Sequence, residues 1–178
     1  MITDQAQARS TLIEQAISNQ FTILVVDDNP TNLSVIVEYL ESENFTILIA
    51  QDGESGLKRA RYAHPDLILL DVLMPGMNGF ETCCQLKQDK ATSAIPVIFM
   101  TALSSTEDKV KGFETGAVDY VTKPVQREEL LARIKIHLKL QELSRTLEGK
   151  NKLLAEVNQS LEQQVRERTI QLTEALQT

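Results

Sequence analysis

Five short apolar runs recur along the chain: FTILVV (21–26), FTILIA (45–50), LILL (67–70), PVIFM (96–100) and DYVT (119–122). Helical periodicity follows each of them, and this beat constrains the fold more than any other feature. The runs have strand length and are rich in β-branched and aromatic residues, so they read as strands. After the first, DDNPTNLSVIVEYLESE puts Leu33, Ile36, Val37 and Leu40 on one helical face. Asn29 or Thr31 suits the cap of that helix and Pro30 its first turn. GESGLKRARYA gives a short second helix, and NGFETCCQLKQ a third with Phe80, Cys83 or Cys84, and Leu86 inward. STEDKVKGFETG gives a fourth, ended by Gly116, and a long helix starts near residue 126. Strands separated by helices need crossover connections, which predicts a parallel sheet covered on both faces. Near-continuous apolar strands fit burial from both sides. The expected fold class is α/β, doubly wound.

The length of 178 residues allows one well-buried domain and an appendage. With 18 basic and 25 acidic side chains the net charge is −7, which argues against a direct nucleic-acid or anionic-membrane partner. No apolar run approaches the roughly 20 residues that span a bilayer. The polar start MITDQAQARSTLIEQAISNQ lacks the order of a signal peptide. Cys83 and Cys84 are adjacent, with no framework of spaced pairs, and read as reduced residues on a helix. A cytoplasmic protein is expected.

In a doubly wound sheet the ligand site lies beyond the carboxyl ends of the strands. Strand one ends in Asp27 and Asp28, strand three in Asp71, strand four in Thr101, and strand five in Tyr120 to Lys123. Each has an ordinary structural explanation alone, as a turn, cap or loop residue. Together they would bring three carboxylates, a hydroxyl and an ammonium to one crevice. Crowded carboxylates repel unless a cation is bound or their pKa values rise. A hard divalent ion that prefers oxygen, Mg²⁺ or in its place Mn²⁺, resolves the conflict. Lys123 can balance charge or grip an anion, and Thr101 can donate a hydrogen bond to it.

LVVDDNP, LILLDVLMPGMNGFE, PVIFMTA and DYVTKP, in this order and spacing, resemble the signatures of response-regulator receiver domains of two-component phosphorelays. The resemblance covers about residues 21 to 140 and implies a flavodoxin-like five-stranded sheet in the order 2-1-3-4-5. It implies that Asp71 is the phospho-acceptor, attacking the phosphorus of a phosphohistidine on a histidine kinase or histidine phosphotransfer partner. It implies that Asp28, Asp71 and the Leu73 carbonyl ligate Mg²⁺, with Asp27 acting through water, and that Lys123 contacts the phosphoryl oxygens. Thr101 matches the switch hydroxyl and Tyr120 the aromatic whose rotamer follows it. Pro124 matches a proline often preceded by a cis bond. Such a domain is a switch rather than an enzyme.

Beyond the fifth strand, RIKIHLKLQELSRTLEG opens a heptad pattern through Leu140, Leu143, Leu147, Lys150, Leu154, Val157 and Leu161. It resumes at Val165, Arg168, Leu172 and Ala175, so 157–161–165 is a stutter. Gly149 is expected to mark a bend. A parallel homodimer through residues 138–176 is the simplest way to bury this stripe; an amphipathic helix folded back on its own domain is the alternative. LEQQVRERTIQL resembles the signalling helices that join a receiver or sensor to a histidine-kinase or nucleotide-cyclase domain. The pattern is unfinished at Leu176-Gln177-Thr178, which leaves two expectations: an output domain further on, or a stand-alone receiver with a dimerising tail. The expected organisation is a helical N-terminal extension (1–20, with Leu12, Ile13, Ala16 and Ile17 on one face), a receiver domain (21–140) and a coiled-coil signalling helix (141–178). Its expected role is to switch the surface formed by the fourth helix, the fifth strand and the last helix.

Three other readings stand beside this one. A receiver fold could serve only as a dimerisation scaffold, although the full Asp27, Asp28, Asp71, Thr101 and Lys123 set argues otherwise. A metal-dependent phosphohydrolase shares the aspartyl chemistry but needs a cap or substrate pocket. A flavin binder would want a Ser/Thr/Gly-rich phosphate loop where this chain has the acidic DDNPTN.

Overall fold

The computed structural model describes residues 21–102, 110 and 112–175. The chain divides into two units, Met1–Leu138 and Lys139–Thr178. The first unit is built on five parallel strands: β1 (Thr22–Val26), β2 (Thr46–Ala50), β3 (Leu67–Asp71), β4 (Val97–Thr101) and β5 (Asp119–Thr122). They pair in the order β2-β1-β3-β4-β5, the flavodoxin-like order expected. Helices α1 (Pro30–Glu41), α2 (Gly53–Ala63) and α3 (Gly79–Gln88) follow the first three strands, and the C-terminal helix is Arg127–Ala175. Residues 110 and 112–114 are helical, and Gly116 ends that stretch at φ +93°. The N-terminal pattern of Leu12 to Ile17 and most of STEDKVK lie outside the described residues.

Strand alternation sorts the core into two layers. Ile23, Val25, Leu67, Leu69, Ile98 and Met100 pack on one face against Leu33, Ile36 and Leu40 of α1 and Leu130, Ile134 and Leu138 of the C-terminal helix. Leu24, Val26, Ile68, Leu70, Val97 and Phe99 pack on the other against Leu57 and Ala60 of α2 and Cys83 and Leu86 of α3. Cys83 is the buried member of the cysteine pair. Burial on both faces holds for β1, β3 and β4 but not for the edges: Thr46 and Ile49 of β2 and Thr122 of β5 are exposed. An edge strand has a neighbour on one side only, so fewer helices reach over it.

Asn29 rather than Thr31 caps α1, its side chain accepting from the Thr31 amide at 2.9 Å with Pro30 in the first turn. Asn78 and Glu81 form a reciprocal capping box on α3. The Lys123–Pro124 bond is cis. Among the described residues no helix is long and apolar enough to cross a membrane.

In the second unit the chain is helical to Ala175. Gly149 lies inside the helix Arg127–Ala175. Leu140, Leu143, Leu147, Leu154, Val157, Leu161, Val165 and Leu172 are each between 54% and 65% exposed.

Candidate phosphoryl-acceptor site

Parity along the strands decides which side chains meet. Asp27 continues the alternation of Ile23 and Val25, Asp71 that of Leu67 and Leu69, and Lys123 that of Val121, all of the same core layer. With Val26 in register with Leu70, Asp27 arrives beside Asp71. Lys123 Nζ bridges the two, 2.8 Å from Asp27 Oδ2 and 2.8 Å from Asp71 Oδ2. Asp27 is completely buried and Asp71 nearly so, while Asp28 next door reaches solvent. Carboxylate oxygens of all three lie within 4.8 Å of one another.

The surrounding chain fixes these groups. Asp27 Oδ1 accepts from the Asn29 amide at 2.8 Å and from Asn32 Nδ2 at 3.2 Å, so the first turn of α1 aims it. Asp71 Oδ1 accepts from the Leu73 amide at 3.3 Å. The loop after β3 turns back at Gly76, φ +74°, a conformation other residues rarely adopt. Gly79 then brings α3 against the end of β3. A Cβ there would stand 2.2 Å from the Asp71 carbonyl oxygen. Leu73 itself is 55% exposed, on the rim.

Burial pushes the Asp71 carboxyl above its ordinary value, because desolvation outweighs the ammonium of Lys123. Lys123 moves the other way in charge terms. Burial pulls its pKa down, but hydrogen bonds to Asp27 and Asp71 more than compensate and it rises. The asymmetry is physical: one ammonium serves two carboxylates. The pocket therefore has a deficit of positive charge and an all-oxygen donor set, which fits a hard divalent ion.

Thr101 ends β4, buried, with Lys123 N donating to its carbonyl at 2.8 Å. Its parity is that of Val97 and Phe99, the layer in which Tyr120 packs. Tyr120 is partly exposed and meets the edge of Phe113, ring centroids 6.0 Å apart. The expected acidic residues and Lys123 are thus in one pocket, and Thr101 and Tyr120 belong to the opposite core layer. Asn32 and Gly79 were not foreseen. A short amide in the first turn after an acidic strand end could have indicated the first, whereas nothing local indicates the second.

The response regulator receiver domain model matches residues 23–135. The chain belongs to this family. A receiver domain takes its phosphoryl group from a histidine kinase and holds Mg²⁺ at an acidic pocket. The receiver is 41% identical over 117 residues to the DNA-binding dual master transcriptional regulator RpaA of Synechocystis, covering 66% of this chain and 48% of RpaA. It is 46% identical over 112 residues to protein PilH of Pseudomonas aeruginosa, covering 63% of this chain and 93% of PilH. The chain thus spans about half the length of one curated relative and nearly all of another. Among solved structures it is similar to the signal receiver domain of a signal transduction histidine kinase from Syntrophus aciditrophicus, with TM-score 0.63 and 35% identity over 67% of this chain and 90% of that one.

Proposed function

We propose that the receiver takes a phosphoryl group from a phosphohistidine, on a histidine kinase or a histidine phosphotransfer protein, onto Asp71. The observation that carries this reading is Asp71 itself: buried at the end of a central strand, grouped with Asp27 and Asp28, and 2.8 Å from the Lys123 ammonium. Asp28, Asp71 and the Leu73 carbonyl would hold Mg²⁺, or Mn²⁺, directly, and Asp27 through water. The bound ion would offset charge on the transferring oxygens. Asp71 supplies an oxygen that bonds to phosphorus as the P–N bond to the donor imidazole breaks, and the imidazole leaves with that electron pair and takes up a proton. Lys123 stays within reach of the phosphoryl oxygens and stabilises them as a preplaced cation. Thr101 turns its hydroxyl to the new group, and Tyr120 repacks behind it.

The receiver would span residues 21–140, between an N-terminal extension (1–20) and a signalling helix (141–178). The exposed stripe from Leu140 to Leu172 would pair with a second copy as a parallel coiled coil. Repacking around Tyr120 would change the register or rotation of the paired helices, and an output domain would read that change.

Intact mass after incubation with acetyl phosphate and Mg²⁺, beside Asp71→Asn, tests the reading. One added phosphoryl group, absent from the variant, is the expected result. No added mass with either acetyl phosphate or a phosphohistidine donor would leave the scaffold reading in its place.

A further inference from the structure

We propose that Arg133, on the C-terminal helix, is a positioning residue that holds the Tyr120 ring where it packs on Phe113. This rests on the reading of Tyr120 as the aromatic that repacks on phosphorylation. The Arg133 guanidinium lies over the Tyr120 ring, 5.8 Å from its centroid, within the range of a cation–π attraction. Phe113 meets the same ring edge-on, so Tyr120 has an aromatic neighbour and a cation as two separate contacts.

The guanidinium is itself held from both ends. Its Nη1 donates to Asp119 Oδ1 at 2.8 Å, and its Nη2 and Nε donate to Glu129 Oε1 at 2.8 and 3.0 Å. Asp119 is fixed in turn. Its Oδ1 also accepts from the Tyr120 backbone amide at 2.8 Å, and its Oδ2 faces His137 Nε2 at 3.0 Å. Burial raises the Asp119 carboxyl, but hydrogen bonds from His137 and Arg133 outweigh it and keep the group ionised to below its ordinary value. Because β5 is an edge strand, a side chain on the helix that covers one core layer can reach a ring of the other around the free side of the strand. Arg133 and His137 sit one turn apart on the helix and both close on the residue that precedes Tyr120. Moving the ring therefore means sliding it out from under a cation that two carboxylates hold in place. A guanidinium suits this better than an ammonium, since its planar fork serves two acceptors while its face covers a ring.

The test uses the full chain carrying 3-fluorotyrosine, followed by ¹⁹F NMR of Tyr39, Tyr62 and Tyr120, with Tyr120 assigned through Tyr120→Phe. Arg133→Gln is expected to move the Tyr120 signal, without additives, toward the position it takes in the unsubstituted chain with Mg²⁺ and beryllofluoride. The displacement should correspond to a roughly two- to fivefold change in ring population. Arg133→Lys should move it less. A Tyr120 signal in Arg133→Gln that coincides with the unsubstituted chain, or moves the opposite way, overturns the proposal. Tyr39, which packs against the first core layer, reports whether the variant is folded, and the exposed Tyr62 serves as the reference signal. If Arg133→Gln unfolds, Glu129→Gln loosens the guanidinium without removing it. A shift of the Tyr120 signal in the same direction then supports the proposal, and none overturns it. If beryllofluoride leaves the unsubstituted signal unmoved while Arg133→Gln displaces it, the positioning role stands and the switch reading fails.

Discussion

The ammonium of Lys123 stands 2.8 Å from the carboxylate of Asp71, and both side chains are largely shut off from water. The contact joins the end of a central strand to the loop after the last one. It leaves the pocket short of positive charge, since Asp27 claims the same ammonium at the same distance.

Removing the ammonium should cost stability. In Lys123→Met, Asp27 loses its ion pair while wholly buried. Breaking a buried pair costs about 3 kcal/mol. Lys123 keeps 19% of its side chain in solvent, so about 2 kcal/mol is expected after allowing for screening. Urea unfolding in EDTA measures it, and Mg²⁺ should recover part of the loss.

Acid should act on Asp71 in the opposite sense to a salt-bridged carboxylate. Its folded pKa lies above the ordinary value of 3.8, so the folded state binds the proton more tightly than the unfolded chain. This group's contribution to stability therefore falls as pH rises from about 3.8 through the folded value. Asp71→Asn should be more stable than the unsubstituted chain at neutral pH without metal. The difference should shrink toward pH 3.8. Parallel urea titrations of the two proteins across that range would show it, and equal stability at pH 7 would contradict it.

A divalent ion should stabilise the fold through Asp28. Binding to the folded state alone adds about 2.7 kcal/mol at a hundredfold excess over Kd. Thermal unfolding with and without Mg²⁺ should show a clear upward shift, lost in Asp28→Asn. In EDTA that variant should unfold at the same temperature or a higher one, since it removes one of three carboxylates that lie within 4.8 Å of one another.

Gly79→Ala tests how closely α3 must approach β3. The added methyl would meet the Asp71 carbonyl oxygen at 2.2 Å and Val72 Cα at 2.7 Å, both backbone atoms that cannot swing aside. A loss of about 2 kcal/mol or more is expected, together with slower labelling by acetyl phosphate. Circular dichroism during urea unfolding gives the first, and intact mass against time the second.

Leu154→Asp addresses the second unit. Leu154 is 59% exposed in the single chain, and a charge there would interrupt a paired seam without touching the pocket. Sedimentation equilibrium should report a dimer for the unsubstituted chain and a monomer for the variant, with phosphorylation by acetyl phosphate unchanged. Equal masses would show that the stripe does not pair two copies.

Much of this protein is legible along the chain because its determinants are local. LILLD carries its own strand signal and delivers Asp71 to the strand's end, and Asn29-Pro30 announces the start of α1. The parity that puts Asp27, Asp71 and Lys123 in one layer is likewise a property of alternation within each strand. Other features had no local trace. Nothing in the spelling of β2 distinguishes an edge strand from a central one, since the difference lies in which neighbour is missing. Arg133 over Tyr120 is a contact between a helix and a strand, and chain order does not encode it directly.

Periodicity and strand polarity act over a few residues, so the α/β alternation, the acidic strand ends and the apolar stripe of the last helix can be read along the chain. The span of one ammonium across two carboxylates, the seating of α3 on β3 at Gly79 and the cover of Arg133 over Tyr120 arise only on packing. Those relations depend on distances between groups on different elements, which the packing of helices against the sheet sets.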